Sequence, residues 1–468
     1  CSSDLPSASR GAILRKTIRK LGVPIFLAGL TTMISFLSLL FHVLPRVREM
    51  GVFISFGILV AFLLSVFLIP SVLVLVPRPT YLTKKESMTG INNFLVGLGR
   101  IFTQYRIPVL LTLIIAGTWL SIGIRDLKVD TNPDNYFPES SRVRIANTKI
   151  SEAFGGSTQM NILVEGDIFD PNTLRNIEML TDHIKEQHEI VTKSYSIVDV
   201  IKKMNAGFNG GNPEFEVIPD DPELIAQYMF LYTMTGDGED FDLFLDDTDD
   251  PSFTQVFLRL KEVQTYTISE IVDDTEQFIQ ANFYDEPPMI LTGGATLLGV
   301  LTKMVLRGQL LSLFYSIIII FLIMALVFRS FVGGLLATLP MVASVVMLFG
   351  LMGYLNIPLN MTTSLLTGIL VGVGVDYTVH FLWHLRAHLR EGNSMDDAIA
   401  NTLRISGKGI LFNGLSVVVG FSSLLFSVFV PVQIFGILVM GSISFCLFGA
   451  LATLPALTSL LNPKFLYR

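Results

Sequence analysis

The chain has 468 residues, of which 51% are hydrophobic and only 16% charged, with a formal net charge of −7 at neutral pH. Soluble domains carry roughly a quarter charged residues, so this composition excludes an ordinary soluble enzyme or nucleic-acid-binding protein and marks an integral membrane protein. Its two cysteines, Cys1 and Cys446, are too few to staple a domain with disulfides.

In chain order, apolar runs fall at about 23–43, 51–76, 107–124, 309–328, 331–355, 361–385, 409–429 and 432–461. Each approaches the roughly 20 residues that cross a bilayer as a helix, so eight transmembrane helices are expected. Between the third and fourth runs, residues 125–308 hold 33 acidic and 14 basic residues, net −19. The remainder holds 7 acids and 19 bases, net +12. Basic loops stay in the cytoplasm. The connections 77–106 and 386–408 are rich in Lys and Arg, which assigns the acidic block to the outside and both chain ends to the inside of a cell membrane.

The acidic block reads as an α+β domain. Strands are expected at Met160–Glu165, Phe253–Leu260 and Met289–Thr292, and helices at Pro171–His188 and Ile268–Phe283. Gly236–Pro251 is dense in Asp and Glu, but its spacing matches no calcium loop, and a solvated loop is the plainer reading. Farther on, Ser394-Met-Asp-Asp397 forms a capping box that opens a short amphipathic helix, expected to lie on the inner membrane face.

The chemistry concentrates in the sixth run, around Gly372-Val-Gly374-Val-Asp376-Tyr377-Thr-Val-His380. Asp376 is the one carboxylate within these long apolar runs, and a charge at mid-membrane costs about 2.5–3.5 kcal/mol even on a lenient scale. Gly368, Gly372, Asp376 and His380 recur every fourth residue along one helix face. The glycines, with Gly374, suit close helix packing. Asp376 is therefore a candidate proton site, with His380 able to extend a relay or to rest at the inner interface, as His384 and His388 do. Tyr377 points about 100° away from Asp376, so it serves either the relay or packing. Asn413 and Ser416, early in the next span, are candidate supports for Asp376 or simple interhelical hydrogen-bonding groups. No nucleotide-binding loop, nucleophile motif, metal cluster or cofactor fingerprint accompanies them, so no enzyme and no cofactor are expected.

Sliding the chain on itself gives one constant offset of 385 residues. Gly29 meets Gly414, Ser38-Leu-Leu-Phe41 meets Ser423-Leu-Leu-Phe426, Gly51 meets Gly436 and Pro70 meets Pro455. Residues 1–80 thus read as the last two spans of a first six-span repeat. A linker at 81–106 follows, then the first span of the second repeat (107–124), the outer domain (125–308) and a five-span bundle (309–468). On that arithmetic the chain is expected to be the later part of a twelve-span protein.

A duplicated six-span unit with an outer domain after its first span resembles the resistance–nodulation–division superfamily. The stretch Gly372–Phe381 is similar to the motif of its lipid-exporting branch, the mycobacterial-membrane-protein-large family; sterol-sensing-domain proteins share the unit. The resemblance implies a porter-like outer domain and a proton relay at Asp376 and Tyr377. It also implies proton-driven antiport and efflux of lipids or other hydrophobic substrates. Protons, lipid substrate and membrane lipids are the partners expected, with homo-oligomerisation compatible and no nucleic acid. The alternative is a non-transporting lipid or sterol sensor, or a membrane-assembly protein, on the same unit.

Overall fold

The computed structural model describes residues 10–75, 89–235, 243–245, 252–261, 264–283 and 288–467. It divides into two units, Cys1–Lys128 with Met304–Arg468, and Val129–Lys303.

Among the described residues, eight helices are long and apolar enough to cross a membrane. In order they are Gly22–Phe41, Pro45–Val72, Arg106–Asp126, Gly293–Phe328, Phe331–Tyr354, Met361–Arg390, Met395–Phe426 and Val430–Leu461, called here the first to eighth spans. Each corresponds to one of the apolar runs. The sixth is the hub: it is the most buried of the eight and packs against the first, fifth and eighth. A helix in that position buries its backbone on every side, which explains why its sequence alternates Gly with β-branched residues.

The 385-residue repeat is visible in three dimensions. The first span ends in a 3-10 turn at Ser38–Phe41, and the seventh in one at Ser423–Phe426. A Cβ on Gly51 would meet the Phe36 carbonyl oxygen at 2.7 Å and the Leu39 Cβ at 2.8 Å; on Gly436 it would meet Phe421 O at 3.1 Å and Leu424 Cβ at 2.9 Å. The four partners are themselves 385 apart. Both helix pairs close on a glycine because a side chain there would strike the backbone of the preceding span.

Two features of the first unit differ from the sequence reading. Within the connection expected as a plain linker, Thr89–Gln104 is a 16-residue helix. Its Leu95 is buried, and its Gly99 lets Leu403 approach to 2.8 Å of the Cβ position. The apolar positions Ile91, Phe94, Leu95, Leu98 and Phe102 recur at helical spacing, but over too short a stretch to register as a span. The capped helix at Met395–Thr402, with the Ser394 hydroxyl accepting from Asp397 N–H, is not a separate surface element. It runs through a π-helical segment, Leu403–Gly407, into the seventh span.

The Val129–Lys303 unit is built on a four-stranded antiparallel sheet. Its strands are β1 (Thr158–Glu165), β2 (Val191–Tyr195), β3 (Phe253–Leu260) and β4 (Met289–Thr292), in spatial order β2-β3-β1-β4. Helix α1 (Arg142–Phe154) precedes β1, and α2 (Pro171–Gln187) connects β1 to β2. Then come α3 (Ile197–Phe208) and α4 (Pro222–Thr235), and α5 (Thr265–Asn282) connects β3 to β4. Two strand–helix–strand units interleaved in this order make a split βαβ arrangement. The inward residues of β1 and β3 (Met160, Ile162, Val164; Val256, Leu258, Leu260) form one apolar core with Leu174, Ile177 and Leu180 of α2 and Ile268, Ile271 and Val272 of α5. Strand β2 went unpredicted because it is five residues long and three of them, Thr192, Lys193 and Ser194, are consecutive polar residues at a sheet edge. Most of the acidic stretch Gly236–Pro251 lies outside the described residues.

Candidate functional site

The sixth span carries Asp376 on the helix Leu366–Arg390. Its carboxylate is met from the first span by two adjacent threonines. Thr31 Oγ1 donates to Oδ1 at 3.2 Å, and Thr32 Oγ1 donates to Oδ2 at 3.0 Å. Among the described residues no Lys or Arg forms an ion pair with it. Among the described residues, its side-chain hydrogen bonds come from hydroxyls. Gly372 makes this approach feasible, because a Cβ there would lie 3.1 Å from Thr32 Cγ2. Gly368 sits against Phe36 one turn away, while Gly374 faces the opposite side, where Cys446 Sγ of the eighth span reaches 2.8 Å of its Cβ position. The glycines thus divide the work: two open the sixth span to the first, one opens it to the eighth.

The threonines have a second property. Thr31 Oγ1 also lies 2.9 Å from Leu27 O, and Thr32 Oγ1 2.9 Å from Ala28 O. A hydroxyl has one proton and two lone pairs. With the carboxylate ionised, both hydroxyl protons point across the seam. With it protonated, one threonine accepts from the acid and returns its own proton to a carbonyl of its helix. Proton gain or loss at Asp376 therefore re-aims hydroxyls on a neighbouring span, which links charge at one helix to hydrogen bonding in another.

The other sequence candidates fall elsewhere. Tyr377 is 1% exposed, and its hydroxyl has no hydrogen-bond partner among the described residues; it lies 3.4 Å from the Cβ position of Gly414 on the seventh span. His380 is half-buried and makes no hydrogen bond to Asp376 among the described residues. Asn413 and Ser416 are exposed and do not bond Asp376. Sequence reasoning missed Thr31 and Thr32. The repeat held the signal, since Ser416 is the counterpart of Thr31 and the hydroxyl position was right in the other copy. No cluster of three or more His, Cys, Asp or Glu among the described residues could hold a metal.

Eight spans, a repeated helix pair and an acid held by hydroxyls in an interhelical seam define a multi-pass helical membrane protein. The chain belongs to the MMPL family, whose model matches residues 7–105 and 255–466. It is similar to a membrane protein of Methanocaldococcus jannaschii, 24% identical over 362 residues, covering 75% of this chain and 89% of that one. In fold it resembles the hedgehog release protein Disp of the water bear Hypsibius dujardini, with a TM-score of 0.68 at 12% identity. That match covers 96% of this chain and 59% of the other, so the chain spans less than two thirds of Disp.

Proposed function

We propose that the protein uses the proton-motive force to export lipids or other hydrophobic substrates by proton antiport. Asp376 takes up and releases the proton, and Tyr377 and His380 contribute to the relay. The observation that carries this reading is the Asp376 carboxylate bonded, among the described residues, by Thr31 and Thr32 of another span. Hydroxyls can reverse their hydrogen bonds, so they satisfy both the ionised and the protonated form of a titrating acid. One charge crossing 100 mV is worth about 2.3 kcal/mol, enough to bias helix packing. In this reading Val129–Lys303 faces the outside and receives substrate, while the basic connections and both ends lie in the cytoplasm.

The test is gradient-dependent efflux of a lipid-like fluorescent probe from vesicles, wild type beside Asp376→Asn. Loss of efflux with intact folding supports the proposal. Efflux that survives both Asp376→Asn and an uncoupler refutes it. Lipid binding indifferent to both, with no efflux in the wild type, favours the sensor or assembly role instead.

A further inference from the structure

Among the described residues, three that are not glycine hold a positive φ: Asn356 at 52°, Asn462 at 41° and Arg329 at 49°. Asparagine tolerates this left-handed conformation, whereas arginine has no local hydrogen bond to offset its crowding. Arg329 sits in the two-residue turn between the fourth and fifth spans. Ser330 beside it caps the fifth, its Oγ accepting from Gly333 N–H at 3.3 Å. Gly or Asn would make the same turn with less strain. A residue strained where an easier one fits points to a role for its side chain.

Packing brings other cations to the same end of the bundle. The Phe328 ring, just before Arg329, lies 5.5 Å from that of Phe465, which also reaches 3.3 Å from the Cβ position of Gly333. Phe465 belongs to the turn Lys464–Leu466, and that turn packs against the sixth-span helix Leu366–Arg390. Three segments thus converge, bearing Arg329, Lys464, and Arg386 with Arg390 one turn apart. Arg386 lies within electrostatic reach of both Arg390 and Arg329. Arg329, Arg390 and Lys464 are exposed, and none has an ion pair among the described residues. Glu391, the acid next to Arg390, faces His388 instead at 3.3 Å. Leu326 and Phe331, on either side of the turn, are exposed apolar residues at the ends of their spans. Like charges gathered in this way repel unless an anion sits among them.

We propose that this end of the bundle binds an anionic phospholipid, its phosphate on Arg329, Arg386 and Arg390 and its acyl chains beside Leu326 and Phe331. A guanidinium presents two parallel donors to phosphate oxygens, and Lys464 adds a point charge. The bilayer is the source of the anion, because a lipid's own chains hold its phosphate at the level where the spans end. Basic pockets between spans recognise such headgroups. With the orientation proposed above, the lipid comes from the cytoplasmic leaflet. The site does not depend on Asp376 carrying a proton.

The experiment is thermal unfolding of the full chain in neutral detergent, with phosphatidylglycerol or phosphatidylcholine of the same acyl chains added. Phosphatidylglycerol is expected to raise the wild-type melting temperature more than phosphatidylcholine does, and salt to shrink the difference. Arg329→Asn removes the charge and suits the turn. In detergent alone it should melt at or above the wild type. It should also bind phosphatidylglycerol roughly tenfold more weakly, the order of one charged hydrogen bond lost. Arg390→Gln should weaken binding similarly. Arg46→Gln, near the opposite end of the fourth span where His42 meets Gly308, should leave it unchanged. Equal shifts from the two lipids in the wild type, or a full phosphatidylglycerol shift in Arg329→Asn, overturn the site. An equal shift from inorganic phosphate alone overturns the lipid as its occupant.

Discussion

Thr32 and Asp376 are 344 residues apart in the chain and 3.0 Å apart across the seam between the first and sixth spans. Replacing Thr32 with Val preserves shape and removes the hydroxyl. A buried acceptor deprived of its donor costs about 1–3 kcal/mol. Thr32→Val should therefore melt lower in detergent and export less, whereas Thr32→Ser should retain most of both. Equal melting and efflux for Thr32→Val would deny the bond any role.

Tyr377 offers the opposite experiment. Its hydroxyl is buried without a hydrogen-bond partner among the described residues, so Tyr377→Phe removes an unmet polar group and should leave stability equal or higher. If the hydroxyl belongs to the relay, efflux falls by tenfold or more, on the order of a lost proton-transfer group, while the melting temperature holds. Unchanged efflux would restrict Tyr377 to packing.

The third and fifth spans touch through glycine. A Cβ on Gly353 would collide with the Gly123 carbonyl oxygen, and one on Gly350 with that of Leu120. Gly353→Ala should destabilise the protein by about 1–3 kcal/mol through overpacking. Gly117→Ala, on the third span with nothing within 4 Å, should be neutral in the same melting assay.

His42 makes stability acid-sensitive. Its folded value of about 4 lies below the ordinary 6.5, so the folded state favours the neutral ring. That contribution is complete above pH 6.5 and is lost as pH falls toward 4, up to about 3 kcal/mol at 1.36 kcal/mol per unit. Melting of the wild type should drop across that window, and His42→Phe should flatten the drop. Parallel acid profiles would contradict the assignment.

In the Val129–Lys303 unit the sign reverses. Lys202 of α3 is raised above its ordinary value, first by its hydrogen bond to Glu178 of α2, so the pair stabilises at neutral pH and the gain is lost as pH rises past the lysine's range. A partly exposed pair is worth about 0.2–1 kcal/mol. Lys202→Met should reduce stability by that amount at pH 7 and by less at strongly alkaline pH, as read by urea unfolding.

Much of this architecture was legible because a bilayer imposes length and polarity on every span. Strands β3 and β4 were also readable, since their flanks break the pattern sharply. Strand β2 was hidden by its short, half-polar edge character, and the helix Thr89–Gln104 by lying within a basic connection. At the site, Asp376 declared itself by being charged where charge is costly. Thr31 and Thr32 did not, because a threonine in a span reads the same whether it bonds its own helix or another. Here each is placed to do both, and contacts across such a separation leave no local trace.

The π-helical segments Leu403–Gly407 and Gly449–Thr453 give the bundle uneven compliance. A π-turn holds one residue more than the α-turn beside it, so moving it by a single position re-aims the residue it passes by about 100° without unwinding the helix on either side. The two segments are neighbours, with Leu451 3.6 Å from the Cβ position of Gly407. The seventh and eighth spans therefore share a level at which torsional slack is stored. The third and fifth spans, which meet backbone to backbone at Gly350 and Gly353, are locked at their contact by comparison.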